Sequence, residues 1–521
     1  MPTASAPPNS APKSRIAVAS VIWGVALLAS RLIGLVRQSA LGRSLGVSGS
    51  ADVYQAAFGI PDWFSTLLAG GALSIVFIPI FSAHLARGDE ARGWRTFSNM
   101  ANLLLLVMAV VGTAFWIAAP WLVGVLAPGF SGQQLIELTH LTRIILPAQA
   151  FHIIGGLLSA SLLARDRHFV PAVAPLLYSV GIIAGGLITG TAEGFAWGVV
   201  GGAFAGPFLL PLIVTLRGGL KWSPVLDLSD PDVRLYITRW IPVLLGGSLV
   251  LLDDTLIARF GSGLGEGAIA TLSYAKSLMR APMGIFGAAV GFAAYPALTR
   301  LALTGKLVDL HDLTTTATRR VLILACLSQV GLTVAAPEVA TLIYGTARID
   351  AARMSELGLC LALFCSALGP WSAQIMLSRA FYAQGKGWIP ARLGLLIMAL
   401  STPLYWLLGK HFGAPGLAAA SSTTVTISVC TLHFALKRQT GGKAGYVDLL
   451  PRLLIVTAAA IALTLGVRGW LPPSAFTNLD ALWRVALLGS VGGVAFVAFG
   501  IALRMPELRE ALAPILKRLR R

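Results

Sequence analysis

A chain of 521 residues that is 56% hydrophobic and only 12% charged, with a mean hydropathy of +0.77, is not a soluble globular protein, which carries about twice that charged fraction. Its net charge of +18 would point to nucleic acid only if the basic residues clustered on a polar domain. They lie mostly in every second connection between apolar blocks, so no nucleic-acid partner is expected and the bias sets orientation in a membrane.

Residues 1–15 open with the Pro/Ser/Ala-rich run MPTASAPPNSAP and are predicted to form a disordered cytoplasmic N-terminus. Apolar blocks long enough to cross a hydrocarbon core follow. Six lie in the first half: 16–36, 53–84 (bent near Pro61 and Pro79), 97–126, 135–164, 169–187 and 194–216. Six lie in the second: 235–260, 268–303, 321–344, 354–382, 389–408 and 417–436, with a final pair at 449–467 and 482–503. The fold class is therefore an all-α polytopic membrane protein of about fourteen transmembrane helices. Arg87, Arg92, Arg95, Arg165, Arg167, Arg217, Arg300, Lys386 and Lys437 fall on one side of this plan, whereas APGFSGQQ, GTAEG and GSGLGEG on the other have no Lys or Arg. The positive-inside rule then places both termini in the cytoplasm of a multi-pass inner-membrane protein. GSGLGEG, Gly261–Gly267, reads as a flexible outer loop.

Val170-Pro171 recurs as Ile389-Pro390, Ile60-Pro61 as Ala281-Pro282 and Ile78-Pro79 as Tyr295-Pro296, at offsets of about 220 residues. Two six-helix lobes related by a pseudo-two-fold repeat are expected, 16–220 and 221–440, with two extra helices in 441–505 and a basic cytoplasmic tail at 506–521. That tail has the composition of an amphipathic helix on an anionic leaflet.

No phosphate-binding loop, H-E-x-x-H or G-x-S-x-G is present, so a transporter rather than an enzyme is expected, with no catalytic residue, cofactor or metal. The four cysteines, Cys326, Cys360, Cys365 and Cys430, sit in apolar segments without paired spacing. The informative residues are charges inside apolar spans, which cost roughly 3 kcal/mol or more on a lipid-facing helix and so belong in a wet cavity or beside a partner. They are Arg31 and Arg37 on the first helix, Asp52 on the second, Asp253 and Asp254 on the seventh, and Lys276 and Arg280 on the eighth. Arg31 and Arg37 are six residues apart, about 120° from sharing a face. Lys276 and Arg280 share a face at i, i+4 and repel unless an anion sits between them. Asp253 and Asp254 are candidates to pair with an arginine or to bind a coupling cation. Excess Arg and Lys at membrane depth suits a phosphate or pyrophosphate group, to which arginine gives bidentate contacts.

The segment Ser30 to Phe81 carries Ser30-Arg31, Gly34, Arg37, Asp52, Ile60-Pro61, Gly71-Ala72-Leu73-Ser74 and Phe77-Ile78-Pro79. It resembles the start of the MurJ/MviN family, lipid II flippases of the MATE-like, polysaccharide-exporter superfamily. A second stretch, Tyr274-Ala275 to Leu278 and then Pro282 to Gly287, is similar to the same family. The resemblance implies transport of a polyprenyl-pyrophosphate-linked glycan, lipid II, from inner to outer leaflet by alternating access, in peptidoglycan biosynthesis. It implies substrate contacts at Arg31, Arg37 and Asp52, beside which the chain's own charges place Lys276 and Arg280 as further substrate contacts, with membrane lipids as surroundings and Na+, H+ or membrane potential as the driving force. The chain departs from the family at Ser65, Thr66 and Ser277, where arginines are usual, and at Gly70, where glutamate is. Some similar members bind sodium through an aspartate matching Asp254, with Asn or Asp partners on the eleventh helix. Residues 389–408 contain neither, so no sodium site of that type is expected. The alternatives are a flippase for another polyprenyl-linked polysaccharide and a cation-coupled drug exporter of the same superfamily, whose cavity would be acidic or apolar.

Overall fold

The computed structural model describes residues 13–508 except 70–75, 247, 347, 444, 447 and 475. Residues 1–12, the motif at Gly71–Ser74 with the neighbouring Gly70, and the tail from 509 lie outside the described residues. The described chain is built from helices: α1 (Lys13–Leu45), α2 (Gly49–Ala56), α3 (Gly59–Ala69), α4 (Ile78–Ala86), α5 (Glu90–Val107), α6 (Thr113–Leu126), α7 (Gly132–Ile145), α8 (Ala148–Leu163), α9 (Phe169–Thr189), α10 (Ala192–Ala203) and α11 (Leu210–Arg217). The second half gives α12 (Pro231–Gly246), α13 (Ser248–Gly261), α14 (Ala268–Leu303), α15 (Leu307–Val334), α16 (Ala336–Tyr344), α17 (Ala351–Cys365), α18 (Leu368–Ala383) and α19 (Trp388–Thr440), followed by α20 (Leu449–Gly469) and α21 (Asn478–Ala502).

Among the described residues, eight helices are long and apolar enough to cross a membrane, or nine if α17 and α18, bent by 43°, form one span. Many of their large apolar side chains face outward, including Ile117, Trp121, Leu400 and Val494, as lipid-facing surfaces require. The eight include α19, whose 53 residues would run roughly 80 Å, more than twice the hydrocarbon thickness. It is interrupted at Gly413, where φ 63° and ψ −141° are open only to glycine, and so divides into two limbs at the place expected between 408 and 417. The expected second span is likewise segmented, into α2, α3 and α4. In α9 and α19 the repeated prolines, Pro171 and Pro390, occupy the same third position of each helix, where a missing N–H costs nothing.

Burial is distributed unequally between the two ends of the molecule. The largest core cluster joins the halves: Leu41, Tyr54, Phe130 and Phe195 pack with Ile269, Tyr274, Tyr344 and Leu417. It lies at the end holding connections 46–48, 127–131, 262–267, 345–346 and 348–350. At the opposite end there are two separate cores: Phe77, Phe81, Trp94 and Phe97 pack with Tyr236 from the start of α12 in one, and Leu298, Leu310, Phe381 and Leu432 form the other. The strand-less linker 218–230 is strapped to α5 there: the Asn99 and Asn102 amides donate to the backbone oxygens of Asp227, Ser223 and Val225, and Arg92 pairs with Asp230 at 2.8 Å. Within the linker, hydrogen bonds from the Ser229 hydroxyl and N–H hold the Asp227 carboxyl below the usual carboxylate range. The last two helices pack on α15 through Val330, Leu453 and Phe496.

Candidate substrate cavity

Below the shared core, a cavity of about 400 Å³ opens between the halves. From the first half, α1 contributes Arg37 and Gln38, the α2–α3 region Tyr54, Gln55, Phe58 and Asp62, and α9 Tyr178. From the second half, α13 contributes Asp254 and Thr255, and α14 contributes Ser273, Lys276, Ser277 and Arg280. The Trp63 indole N–H spans the halves to the Thr255 hydroxyl at 2.9 Å.

The two arginines of α1 sit at different places, as their spacing requires. Arg37 lines the cavity. Arg31 lies against α14 at Gly284, where any Cβ would collide with the guanidinium; glycine there lets the helix backbone approach the charge. Neither arginine makes an ion pair or a side-chain hydrogen bond with another described residue.

The cations of α14 are in the opposite state. The anion that relieves their repulsion is Asp254 itself, whose carboxylate takes Lys276 Nζ at 2.6 Å and Arg280 Nη2 at 2.8 and 3.0 Å. Asp253, only 1% exposed, accepts from the same Lys276 ammonium, from the Tyr405 hydroxyl and from the Ser421 hydroxyl at 3.0 Å. One ammonium thus lies between the two adjacent aspartates and uses both.

Asp52 stands outside the cavity lining. Fully buried, it accepts from the backbone N–H groups of Gly267 at 2.6 Å and Ala270 at 2.7 Å, so that a carboxylate of the first half caps the positive end of α14. Around it the Tyr274 hydroxyl donates to the Gly46 carbonyl at 3.1 Å, Gly129 N–H to the Ser262 hydroxyl at 3.1 Å, and Arg348 to the Ser44 carbonyl. The Gly261–Gly267 turn is therefore a tied latch between the halves, not the slack loop that its glycines implied.

Sequence reasoning passed over Asp62, which lines the cavity within electrostatic reach of Asp254 and Arg280, and over Gln38, Tyr405 and Ser421. The only signal for the last two was a polar residue within an apolar run. As a whole the cavity offers the Arg37 guanidinium and the Asp62 carboxyl on one wall, with no ion pair between them, a neutralised ion network on the other, and amide and hydroxyl donors between. Such guanidinium, amide and hydroxyl donors can bind an anion with several oxygens.

Residues 41–479 match the family model described as "Lipid II flippase MurJ". Among curated proteins the chain is 26% identical over 429 residues to a probable lipid II flippase MurJ of Rhizobium tropici, covering 80% of each. It is 27% identical to the probable flippase of Vibrio cholerae over 82% of this chain and 83% of that one, and 24% identical to the lipid II flippase MurJ of Burkholderia cenocepacia over 79% and 82%. Among solved structures, "Lipid II flippase MurJ, inward closed conformation" superposes with a TM-score of 0.76 at 18% identity, covering 93% of this chain and 99% of that one. A multidrug-resistance MATE family transporter in an inward-facing conformation matches at TM-score 0.57 and 12% identity, over 79% and 94%; both likenesses speak for the fold.

Proposed function

The chain belongs to the lipid II flippase MurJ family, and from that premise we propose that it carries lipid II from the inner to the outer leaflet of a bacterial inner membrane. It is a multi-pass membrane transporter and not an enzyme. The observation that carries the substrate reading is the state of the two arginines on α1: placed between the halves, they have no carboxylate partner among the described residues. A pyrophosphate supplies what they lack, and its oxygens accept bidentate hydrogen bonds from guanidinium groups. In this reading Arg37 and Arg31 make the primary contacts, with Gln38, Gln55, Ser273 and Ser277 as further donors. Lys276 and Arg280 contribute through the edge of their network. The cavity volume falls within the range of ligand-binding pockets.

The basic connections assign the end with separate cores to the cytoplasm and the latch to the outside. The described state is then closed outward, and transport requires the latch around Asp52 to part while the separate cores come together. Membrane potential favours the cycle, because an anionic headgroup leaving a negative interior gains about 2.3 kcal/mol per charge per 100 mV.

The test is replacement of a native lipid II flippase by this chain in a depleted strain. Sustained wall synthesis is the expected result. Lysis on depletion, with the protein inserted at normal levels, would move the substrate to another polyprenyl-linked glycan, a reading to which Ser277 on the cavity wall in place of the usual arginine would then contribute.

A further inference from the structure

Beside the cavity, four helices of the second half enclose a single ammonium group. Lys276 on α14 is 3% exposed. Its Nζ contacts the carboxylates of Asp253 and Asp254 on α13, and lies 5.6 Å from the Trp371 ring on α18 and 6.0 Å from the Phe364 ring on α17. Carboxylates on one side and aromatic faces on the other are a receptor for a desolvated monovalent cation. The rest of the cluster is satisfied as well. Tyr405 and Ser421, which complete the shell of Asp253, come from the two limbs of α19 on either side of the Gly413 break. Arg280 completes Asp254. Within the hydrogen-bonded cluster two carboxylates face two cationic side chains, so neither aspartate is left without a cation; Asp62, further off on the cavity wall, makes no ion pair with any of them.

We propose that Lys276 is a tethered counter-cation: its ammonium permanently fills a monovalent-cation position between Asp253 and Asp254, so that transport by this chain needs no inorganic cation. A dissociable ion here would tie α13 and α14 to both limbs of α19 when bound and release them when it left. A lysine cannot leave. The second half is therefore held in its ion-occupied arrangement through the whole cycle, and an ion gradient has nothing to act on. Removing the lysine charge uncovers a site with one net negative charge and hard oxygen ligands from Asp253, Asp254, Tyr405 and Ser421, which a sodium ion fits.

The experiment uses the full-length protein in lipid vesicles and in detergent, with NaCl, KCl or choline chloride at equal ionic strength. Wild-type flipping of a polyprenyl-pyrophosphate-linked substrate, at fixed potential, should be the same in all three salts, and so should wild-type Tm. Lys276→Ala should flip poorly in choline and recover at least several-fold in sodium or potassium. Its Tm should rise with the same cations, and the Lys276→Ala/Asp253→Asn double variant should lose that response. A wild-type requirement for sodium in flipping or Tm overturns the proposal, as does a folded Lys276→Ala protein whose Tm ignores all three salts. If Lys276→Ala does not accumulate, the wild-type comparisons decide. The transport arm rests on the flippase reading and the Tm arm does not: a wild type that flips nothing defeats that reading, while the Tm series still decides on the lysine.

Discussion

Helices α1 and α14 meet between the two halves, each brings two cations, and they hold them in opposite states. Arg31 and Arg37 of α1 have no carboxylate partner among the described residues, whereas Lys276 and Arg280 of α14 share Asp254, and Lys276 also takes Asp253. Sequence inspection marks all four for the same reason, as positive charges in apolar spans. What separates them is the partner, and the partner decides what a substitution reads out. A charge already paired is first part of the folded structure, and its loss leaves a buried carboxylate uncompensated. A charge left open is available to a ligand, and its loss is read in transport.

The largest expected effect on transport is therefore at α1. Arg31→Ala should reduce lipid flipping on the order of 100-fold or more, since losing one partner of an enclosed charge-assisted contact costs about 3 kcal/mol, while membrane level and Tm stay near wild type. Arg31→Lys should retain part of the activity because a lysine keeps the charge but not the bidentate geometry. Flipping in vesicles with immunoblotted membrane levels measures both, and normal transport by a well-expressed Arg31→Ala protein would remove the distinction between the two helices.

At α14 the order of effects reverses. Lys276→Ala, assayed in choline, should lower stability first, by about 3–5 kcal/mol for a broken buried pair, seen as a clear fall in Tm. Arg280→Ala should cost less, since its side chain is 37% exposed and Lys276 still serves Asp254. The double variant should cost more than the two singles combined, because only then are both aspartates left without a cation. Equal Tm for Lys276→Ala and wild type in choline would show that the pair contributes nothing to folding.

The smallest perturbation tests which end is which. In a cysteine-free background, Glu266→Cys at the exposed tip of the latch turn should react with an impermeant maleimide added outside cells, and Arg87→Cys only after permeabilisation. The reverse pattern would invert the assignment of the tied and separate ends while leaving both helices as described.

Much of the fold was legible because helix length and apolarity are local properties. The blocks read from the chain fall on helical segments, although 53–84, 135–164, 321–344 and 354–382 are each divided into shorter helices, and Gly413 falls where α19 had to divide. The site was legible only in part. Arg31, Arg37, Lys276 and Asp254 stand out as charges in apolar surroundings, a signal that needs no knowledge of neighbours. Tyr405 and Ser421 reach Asp253 across 152 and 168 residues of sequence, and nothing in a run of neutral side chains marks which one points inward. Asp52 shows the converse limit. Its charge was visible, but its partners are the backbone N–H groups of α14, and backbone leaves no trace in composition. Residues 389–408 lack Asn and Asp, as the sequence shows, yet the Asp253 shell there is completed by a tyrosine.

The shared core at the latch end gives the transport cycle a thermal character. Parting the halves there must wet surface now buried around Tyr54, Tyr274, Tyr344 and Leu417, and exposing apolar surface raises heat capacity as unfolding does. Opening at the latch is in this sense a small, reversible melting confined to one end of the molecule. Its free energy bends with temperature, so the ratio of closed to open protein is a property of the water as much as of the contacts, and cooling loosens the latch even as it slows everything else.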